Sequence, residues 1–249
     1  MSKLVKPQAI AAYSRMTGEI YDLIYAAKDY AGQAAKLSEI IHAQSESGGN
    51  RILEVACGTG RYMQFLANDY AVDGFDLSAE QVVAAKLRLP DATIFQADML
   101  DFDNGQRYDA VLCLFSSIGY LLTKNNLDIA IANMATHTKP GGLVIVEPWL
   151  READIIPGHL SLEAVSNEHL WVSRMGKLTI QNGVTALDMH HMVGRSAGIE
   201  HFREVHQLAL YSDEDFTDAF HKAGLEIVID PVGLTNRRLC IGKLPRLPA

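Results

Sequence analysis

The sequence predicts an α/β fold with a parallel, doubly wound sheet and an inserted antiparallel β unit. Three observations lead to this prediction. Five short apolar runs alternate with helical segments between residues 51 and 149. Residues 160–212 hold several β-like runs and no convincing helix, and a capped helix with two more β runs ends the chain. Strands that alternate with helices favour a parallel sheet, whereas strands that follow one another favour an antiparallel one.

The first 45 residues precede the alternating pattern. Residues 1–30 are irregular and rich in tyrosine, whereas residues 31–44 carry apolar side chains at helical spacing, and SESGGN then breaks that helix. We therefore expect an irregular N-terminal segment followed by one helix. The tyrosines are Tyr13, Tyr21, Tyr25 and Tyr30.

The alternating half of the chain predicts five parallel strands. They lie at residues 51–57, 71–78, 93–99, 108–115 and 143–149. Ser78 is a predicted helix N-cap with Gln81 as its capping-box partner, and Pro90 ends that helix. The run at 108–115 is apolar throughout, as is typical of a strand buried on both faces. Other helices are predicted from Arg61 to Asn68 and over residues 125–138, where the Pro-Gly-Gly of 140–142 ends the second.

The antiparallel unit is predicted as an insertion at residues 155–212, between the fifth strand and the last helix. Its β-like runs are 170–175, 177–182, 185–193 and 201–211, with breaks at Gly176, Gly183, Gly194 and Gly198. Ser212 then caps a helix that stops at Gly224, and residues 225–232 and 238–244 are the final strands. We expect the insertion to cover the ligand edge of the sheet.

Composition narrows the class of protein. The formal net charge is −8, which disfavours a nucleic-acid partner or an anionic membrane because few cations remain to neutralise phosphates. No apolar stretch is long enough to cross a bilayer and no signal peptide is recognisable, so we expect a cytoplasmic protein. The three cysteines have no CxxC spacing, which predicts buried thiols and neither a disulfide nor a metal site.

The segment Glu54–Gly60, EVACGTG, carries the functional signal at a strand-to-helix turn. Asp76 ends the second strand, where a Rossmann-like fold holds a ribose, and Asp98 ends the third, where a carboxylate can hold an adenine amino group. Met63 replaces the third glycine of a dinucleotide fingerprint, so we expect an adenosine without pyrophosphate, which favours S-adenosylmethionine over NAD. The cofactor candidates in the turn are Glu54, Ala56, Gly58 and Gly60.

Several segments make the chain resemble the class I methyltransferases, and among them the dTDP-amino-sugar N,N-dimethyltransferases of desosamine and mycaminose biosynthesis. They are YDLIY…KDYA (21–31), LEVACGTG (53–60), RLPDATIFQADMLDF (88–102), LFSSIGYL (114–121), PGGLVIVEPW (140–149) and HFREVHQLALY (201–211). The resemblance covers nearly the whole chain. Two segments depart from it: Leu150–Glu152 follows Trp149 in place of a second Trp and FPE, and the tail reads TNRRLCIG.

The resemblance implies a seven-stranded methyltransferase sheet in one domain of residues 1–249. Residues 1–45 would form an N-terminal lid and helix, and residues 155–212 a cap over the acceptor. Arg237 falls where the family keeps an arginine for the nucleotide diphosphate, and the family likeness also suggests a homodimer. The implied cofactor contacts are Gly58, Gly60, Asp76, Leu77, Asp98, Met99 and Phe115, with Tyr21 and Tyr30 closing over the cofactor.

Methyl transfer to a small-molecule amine needs alignment of the reacting atoms and, when the amine arrives as ammonium, a base. The candidates for that base are Tyr120, Glu147, His190, His191 and His206. Each of them also has an ordinary structural interpretation. Trp149 is either a wall of the acceptor pocket or a core residue, and Arg237 and Arg238 either hold an anion or form a solvated pair.

Four other interpretations remain open. The chain could methylate an unrelated small molecule at nitrogen or oxygen. It could be a nicotinamide oxidoreductase, against which the missing third glycine counts, or a degenerate fold that binds adenosyl ligands without chemistry, against which the intact EVACGTG counts. A protein or RNA methylase is disfavoured because no basic stripe is visible.

Overall fold

The structure is a computed structural model that describes residues 17–246. Tyr13 and the rest of the first 16 residues of the predicted lid lie outside the described residues. The described helices are α1 (Gly18–Ile24), α2 (Tyr30–Gln44), α3 (Arg61–Leu66), α4 (Ala79–Arg88), α5 (Lys124–Thr136) and α6 (Asp213–Lys222), with 3₁₀ turns at Ser117–Tyr120 and Glu152–Asp154.

Eleven strands lie within the described residues. Their bounds are β1 (Arg51–Val55), β2 (Ala71–Asp76), β3 (Thr93–Gln96), β4 (Tyr108–Cys113), β5 (Thr138–Val146), β6 (Leu160–Ser166), β7 (Trp171–Gln181), β8 (Val184–Arg195), β9 (Gly198–Ala209), β10 (Glu226–Asp230) and β11 (Leu239–Lys243).

The predicted seven-stranded sheet is confirmed. Its strand order is β10-β11-β5-β4-β1-β2-β3. β1 to β5 are parallel, and β11 joins β5 in antiparallel fashion. From β1 the strand order runs one way through β2 and β3 and the other way through β4 and β5. The carboxyl ends of β1 and β4 therefore flank the crevice in which such sheets bind ligands.

The predicted antiparallel β unit is also present as a second sheet, with the order β6-β7-β8-β9. We call it the cap sheet. Its inner face and α1 share a cluster of buried apolar side chains, which includes Ile20 and Ile24 of α1 and Val172, Val193 and Phe202 of the strands. The first helix and the cap sheet therefore pack as one layer beside the carboxyl edge of the parallel sheet.

Several predicted boundaries were wrong. Residues 18–24, expected to be irregular, form α1, because Thr17 caps the helix and Ile20 and Ile24 become buried. The Pro-Gly-Gly of 140–142 lies inside β5 and not before it; the register with β4 shifts there, which accommodates a proline that has no N–H. Gly176 and Gly194 do not break strands, because they lie inside β7 and β8. At Gly176 a side chain is disfavoured, since a Cβ would lie 2.9 Å from Ser161 Oγ on β6.

The predicted helix N-caps at Ser78 and Ser212 and the burial of the three cysteines were confirmed. The side chain of Ser78 accepts a hydrogen bond from the N–H of Gln81, and Ser212 forms a capping box with Asp215. The three cysteines are buried, free thiols. Among residues 17–246, no helix combines the length and the hydropathy needed to cross a membrane. The same residues contain no cluster of three or more His, Cys, Asp or Glu side chains arranged to hold a metal ion.

Candidate active site

An open cleft lies at the carboxyl edge of the parallel sheet, beneath α1 and the start of α2. It encloses about 1070 Å³ of empty space, open solvent included. Ten of the eleven predicted cofactor residues line it, and Gly60 alone does not. The ten are Tyr21, Tyr30, Glu54, Ala56, Gly58, Asp76, Leu77, Asp98, Met99 and Phe115.

The glycine turn after β1 forms the floor of this cleft. Gly58 has φ +56°, and a Cβ at this position would meet no atom within 4 Å, so the backbone faces open space. Gly60 has φ +75° as the N-cap of α3, where a Cβ would lie 3.2 Å from Leu89. Gly58 thus lets a ligand approach the backbone, whereas Gly60 shapes the turn from behind.

Asp76 connects two loops at the cleft. One of its carboxylate oxygens accepts the N–H of Gly58 at 2.9 Å, and the other accepts the N–H of Ser78 at 2.9 Å. Burial raises the pKa of Asp76, and backbone hydrogen bonds from Ser78, Gly58 and Leu77 oppose that shift. A carboxylate has about four acceptor positions, so the side chain can also take a hydrogen bond from a ribose.

Glu54 is the buried acid of the turn. It is 3% exposed, and its Oε2 accepts no hydrogen bond from the described residues. Burial raises its pKa to about 8, against the favourable field of Lys28. A carboxylate oxygen that accepts no hydrogen bond at the wall of a cleft fits a cationic group of a ligand, because a buried carboxylate needs a compensating charge.

Lys28 was missed in the sequence analysis. Its ammonium group lies over the rings of Tyr30, Tyr62 and Phe115, at 4.5, 4.2 and 4.2 Å from their centroids. It also contacts the hydroxyl of Tyr62 and donates a 2.9 Å hydrogen bond to Gln33. Burial lowers its pKa to about 8. The only sequence signal was its place in the segment KDYA, which the family resemblance includes.

The three rings around Lys28 form an aromatic box, defined here as Tyr30, Tyr62 and Phe115. All three residues line the cleft. Burial raises the pKa of Tyr30 to about 12 and that of Tyr62 further, so both hydroxyls stay neutral. The faces of such rings attract cations, and here they surround the ammonium group of Lys28.

The turn after β4 is held in a strained conformation. Phe115 and Ser116 have φ of +51° and +66°, a region that non-glycine residues seldom adopt. The N–H of Phe115 donates a 2.7 Å hydrogen bond to Glu147, and the hydroxyl of Ser116 donates one to the carbonyl of Pro148. Glu147 is fully buried and does not line the cleft. This side chain therefore fixes the position of Phe115.

Tyr120 and His206 are brought together, although 86 positions separate them. Tyr120 ends the 3₁₀ turn and lines the cleft, and His206 lies on the inner face of the cap sheet. The hydroxyl of Tyr120 is 2.7 Å from Nδ1 of His206. Of the residues suggested as bases, Tyr120 alone lines the cleft.

Trp149 and Arg237 lie next to each other beyond this turn. The indole N–H of Trp149 donates a 3.0 Å hydrogen bond to Thr185 of the cap sheet. The guanidinium of Arg237 lies 4.9 Å from the centre of the Trp149 ring and donates a 3.1 Å hydrogen bond to Ser116. Arg237 is partly exposed, whereas Arg238 is only 2% exposed, so the two arginines do not form the solvated pair that was one expectation.

The remaining histidine candidates lie apart from the cleft. His190 is exposed on the outer face of the cap sheet, stacked against His201 and 3.6 Å from Asp188. The structure therefore does not bring His190 to the site, because successive side chains of a strand point to opposite faces. His191 points inward, fully buried and stacked on Phe202.

The cleft fits S-adenosylmethionine. Three carboxylates line it, the backbone is open at Gly58, and Glu54 has an oxygen without a hydrogen bond. Asp76 would hold the ribose, Asp98 the adenine amino group, and Glu54 the charged methionine part. The turn lacks the third glycine of the dinucleotide fingerprint, which disfavours a pyrophosphate.

Comparisons with known proteins agree with this geometry. Residues 52–142 match the methyltransferase domain family. The chain is 36% identical over 236 residues to the dTDP-3-amino-3,6-dideoxy-alpha-D-glucopyranose N,N-dimethyltransferase of Streptomyces fradiae, covering 93% of this chain and 92% of that protein. It is 34% identical to the dTDP-3-amino-3,4,6-trideoxy-alpha-D-glucopyranose N,N-dimethyltransferase of Streptomyces venezuelae, covering 90% and 96%.

Solved structures show the same relationship. The structure of Streptomyces venezuelae DesVI superposes with a TM-score of 0.86 at 34% identity, covering 91% of this chain and 97% of that one. The S-adenosylmethionine-bound amino pentose methyltransferase CalS10 of Micromonospora echinaspora gives a TM-score of 0.79 at 31% identity, covering 98% and 99%.

Proposed function

Since this chain belongs to the S-adenosylmethionine-dependent methyltransferase family, we propose that it methylates the amine of a dTDP-linked amino sugar, and does so twice. The relatives at 34–36% identity carry names that specify dTDP-amino sugars and N,N-dimethylation. That likeness over about nine-tenths of the chain is the observation that carries the proposal.

The cleft residues bind and orient the methyl donor. S-adenosylmethionine supplies a methyl group already activated on a sulfonium. Asp76 holds the ribose, and Asp98 and Met99 border the adenine. Glu54 supplies a negative charge to the cationic methionine part, and Lys28 occupies the aromatic box beside it. Fixing the donor in this way leaves one direction of approach to the methyl group, and such alignment is worth roughly 7–11 kcal/mol of the barrier.

The acceptor side of the site lies between the turn after β4 and the cap sheet. Tyr120 faces the cleft, and Arg237 lies over Trp149 at its margin. Arg237 supplies a cation with several N–H donors, which suits a diphosphate. Trp149 offers an aromatic face to a thymine ring or a sugar. A dTDP-sugar held at Arg237 extends its amine toward Tyr120.

The flanking segments enclose this acceptor. In the proposal, residues 1–45 act as the lid and residues 155–212 as the cap of one methyltransferase domain. The lid is tied down at its centre, where Asp22 accepts a 2.7 Å hydrogen bond from Thr59 of the glycine turn and pairs with Arg88. Closure over both ligands would exclude water from the amine.

Two broader features belong to the same proposal. The protein would work in the cytoplasm, on a small molecule and not on nucleic acid. It would form a homodimer through the outer face of the cap sheet, where large apolar side chains are exposed. These side chains are Leu162, Trp171, Met175, Met192 and Ile199. Light scattering on the purified protein tests the dimer.

An acceptor panel tests the function. The purified chain is incubated with S-adenosylmethionine and dTDP-3-amino-, dTDP-4-amino- and unlinked amino sugars, and release of S-adenosylhomocysteine is followed. The proposal expects turnover with at least one dTDP-linked amine and much weaker turnover with the same sugar lacking the nucleotide. Turnover that does not depend on the nucleotide would contradict it.

A further inference from the structure

Three side chains form a continuous line from the cap sheet to the cleft. The hydroxyl of Tyr120 is 2.7 Å from Nδ1 of His206, and Nε2 of His206 is 3.6 Å from a carboxylate oxygen of Glu204. Glu204 and His206 are two residues apart on β9, so both point to its inner face. Their side chains are 2% and 3% exposed.

Glu204 is an unusual residue to bury here. Neither of its carboxylate oxygens accepts a hydrogen bond from the residues that the structure describes. A buried carboxylate is costly unless a cation or a donor faces it. The group that faces it is the imidazole of His206, which favours a proton on Nε2. Nδ1 is then left to accept the hydrogen of the Tyr120 hydroxyl.

We propose that Glu204 and His206 orient Tyr120 to accept the N–H of the acceptor amine and to pass on the proton that this amine gives up, an inference that rests on the proposed function. With its hydrogen directed to His206, the Tyr120 oxygen presents lone pairs to the cleft. An amine N–H bound there turns the nitrogen lone pair toward the methyl group. Tyr120 is the catalytic residue in this scheme, and His206 and Glu204 are positioning residues.

The proton balance is complete within these groups. Transfer of one methyl group to a neutral amine leaves an ammonium, which must lose a proton before a second transfer. As the N–H proton passes to the Tyr120 oxygen, the hydroxyl proton passes to Nδ1 of His206. The imidazolium that results faces the carboxylate of Glu204 and later releases the proton to solvent. No oxidant or reductant is needed.

The other titratable groups near His206 do not compete for this proton. His191, on the adjacent strand β8, interacts with it electrostatically, but burial and then Arg174 lower the pKa of His191 to about 4. It is therefore neutral in the range where an amine reacts. Arg174, on β7, is bound to the hydroxyl of Tyr25 and to Glu163. Tyr120 faces His206 from the 3₁₀ turn.

The test compares Glu204→Gln, His206→Gln and Tyr120→Phe with the control His201→Gln, which changes an exposed histidine on the outer face of the same strand. For each variant, kcat/KM is measured against pH with a dTDP-amino sugar, and mono- and dimethylated products are counted by mass spectrometry. Thermal melting and S-adenosylhomocysteine affinity report whether the fold is intact.

The proposal expects kcat/KM of the first three variants to fall about 10²-fold below that of the unchanged protein at about pH 7. At about pH 9.5, where the amine arrives neutral, their kcat/KM should return to within about threefold of the unchanged protein. They should also accumulate monomethylated product, and His201→Gln should match the unchanged protein. If the kcat/KM–pH profiles of the variants run parallel to that of the unchanged protein, with an unchanged ratio of mono- to dimethylated product, the proposed proton transfer through Tyr120 to His206 is overturned. If His206→Gln does not fold, Glu204→Gln decides by the same criteria, because it preserves shape.

A second readout separates this inference from the proposed function. Nitrogen-15 NMR of the whole protein with S-adenosylhomocysteine reports which ring nitrogen of His206 carries the proton. A proton on Nε2 of the neutral ring supports the proposed proton transfer, and a proton on Nδ1 of the neutral ring contradicts it. If no amino sugar is methylated, the proposed function fails. The tautomer of His206 then decides by itself whether Glu204 and His206 orient the Tyr120 hydroxyl.

Discussion

Glu147 accepts a 2.7 Å hydrogen bond from the N–H of Phe115 and another, also of 2.7 Å, from the hydroxyl of Thr235. One buried side chain at the end of β5 therefore joins two segments: the strained turn that carries a ring of the aromatic box, and the loop that carries Arg237. Both oxygens are engaged, and the residue is absent from the wall of the cleft. Its geometry is that of a support for both ligand sites.

Glu147→Gln should therefore retain activity within about threefold with the pH profile unchanged, because an amide can still accept from Phe115 and donate to Thr235. Glu147→Ala should lose about 1–3 kcal/mol of stability, since it leaves a buried N–H unpaired. Steady-state kinetics and chemical denaturation check the pair. A folded Glu147→Gln that had lost activity a hundredfold would instead make Glu147 the base.

Asp76→Asn should weaken S-adenosylhomocysteine binding by at least about tenfold while the fold survives, because hydrogen bonds to a charged group contribute about 1.5–3 kcal/mol. Titration calorimetry measures the affinity. Asp101→Asn, which changes an exposed carboxylate beyond β3, is the matched control. Equal affinities for Asp76→Asn and the control would contradict the ribose assignment.

Glu54→Gln should raise the melting temperature of the ligand-free protein, and more so as the pH rises. Burial raises the pKa of Glu54 in the folded state to about 8 from its ordinary 4.5, so the folded protein binds this proton more tightly than the unfolded chain. Stability from this group is lost as the pH rises from about 4.5 through about 8. Calorimetric scans at about pH 5 and about pH 9 measure the difference between the two proteins.

The same Glu54→Gln variant should bind S-adenosylmethionine more weakly, since the charge that faces the cation is gone. A protein that is more stable but binds S-adenosylmethionine more weakly would show that the unfavourable burial of Glu54 serves cofactor binding. A melting difference that shrinks with rising pH would contradict the pKa assignment.

Arg237→Ala should raise the KM for a dTDP-amino sugar much more than that for S-adenosylmethionine, because Arg237 lies at the acceptor margin over Trp149. Arg238→Ala should chiefly reduce stability, since Arg238 is buried and pairs with Asp213 at 3.1 Å. Separate KM values and melting curves distinguish the two effects. An equal rise of both KM values in Arg237→Ala would contradict its role at the diphosphate.

The sequence predicted the parallel sheet and most of the named residues that line the cleft, because both follow from local patterns. Strand runs, the glycine turn and the carboxylates at strand ends occupy fixed positions in such a fold. Lys28 was missed because its ring contacts join α2, α3 and the turn after β4, which no local spacing reveals. Glu204 was missed because its connection to the cleft runs through His206 and Tyr120, which lie 86 positions apart.

The histidine candidates show most directly what could not be predicted from the sequence. His190 and His191 are adjacent in the sequence, and only strand register decides which of them faces inward. Residue type alone could not separate them. α1 escaped notice because seven residues are too few for a clear helical period, and its burial comes from the cap sheet.

The most direct test of the central claim is mass spectrometry of a dTDP-3-amino sugar after incubation with the purified protein and S-adenosylmethionine carrying a deuterated methyl group. We predict a product heavier by two labelled methyl groups, both on the sugar nitrogen, with two equivalents of S-adenosylhomocysteine released. An unchanged amino sugar, from a protein that binds S-adenosylhomocysteine by calorimetry, would contradict the proposed acceptor and leave only the cofactor site in place.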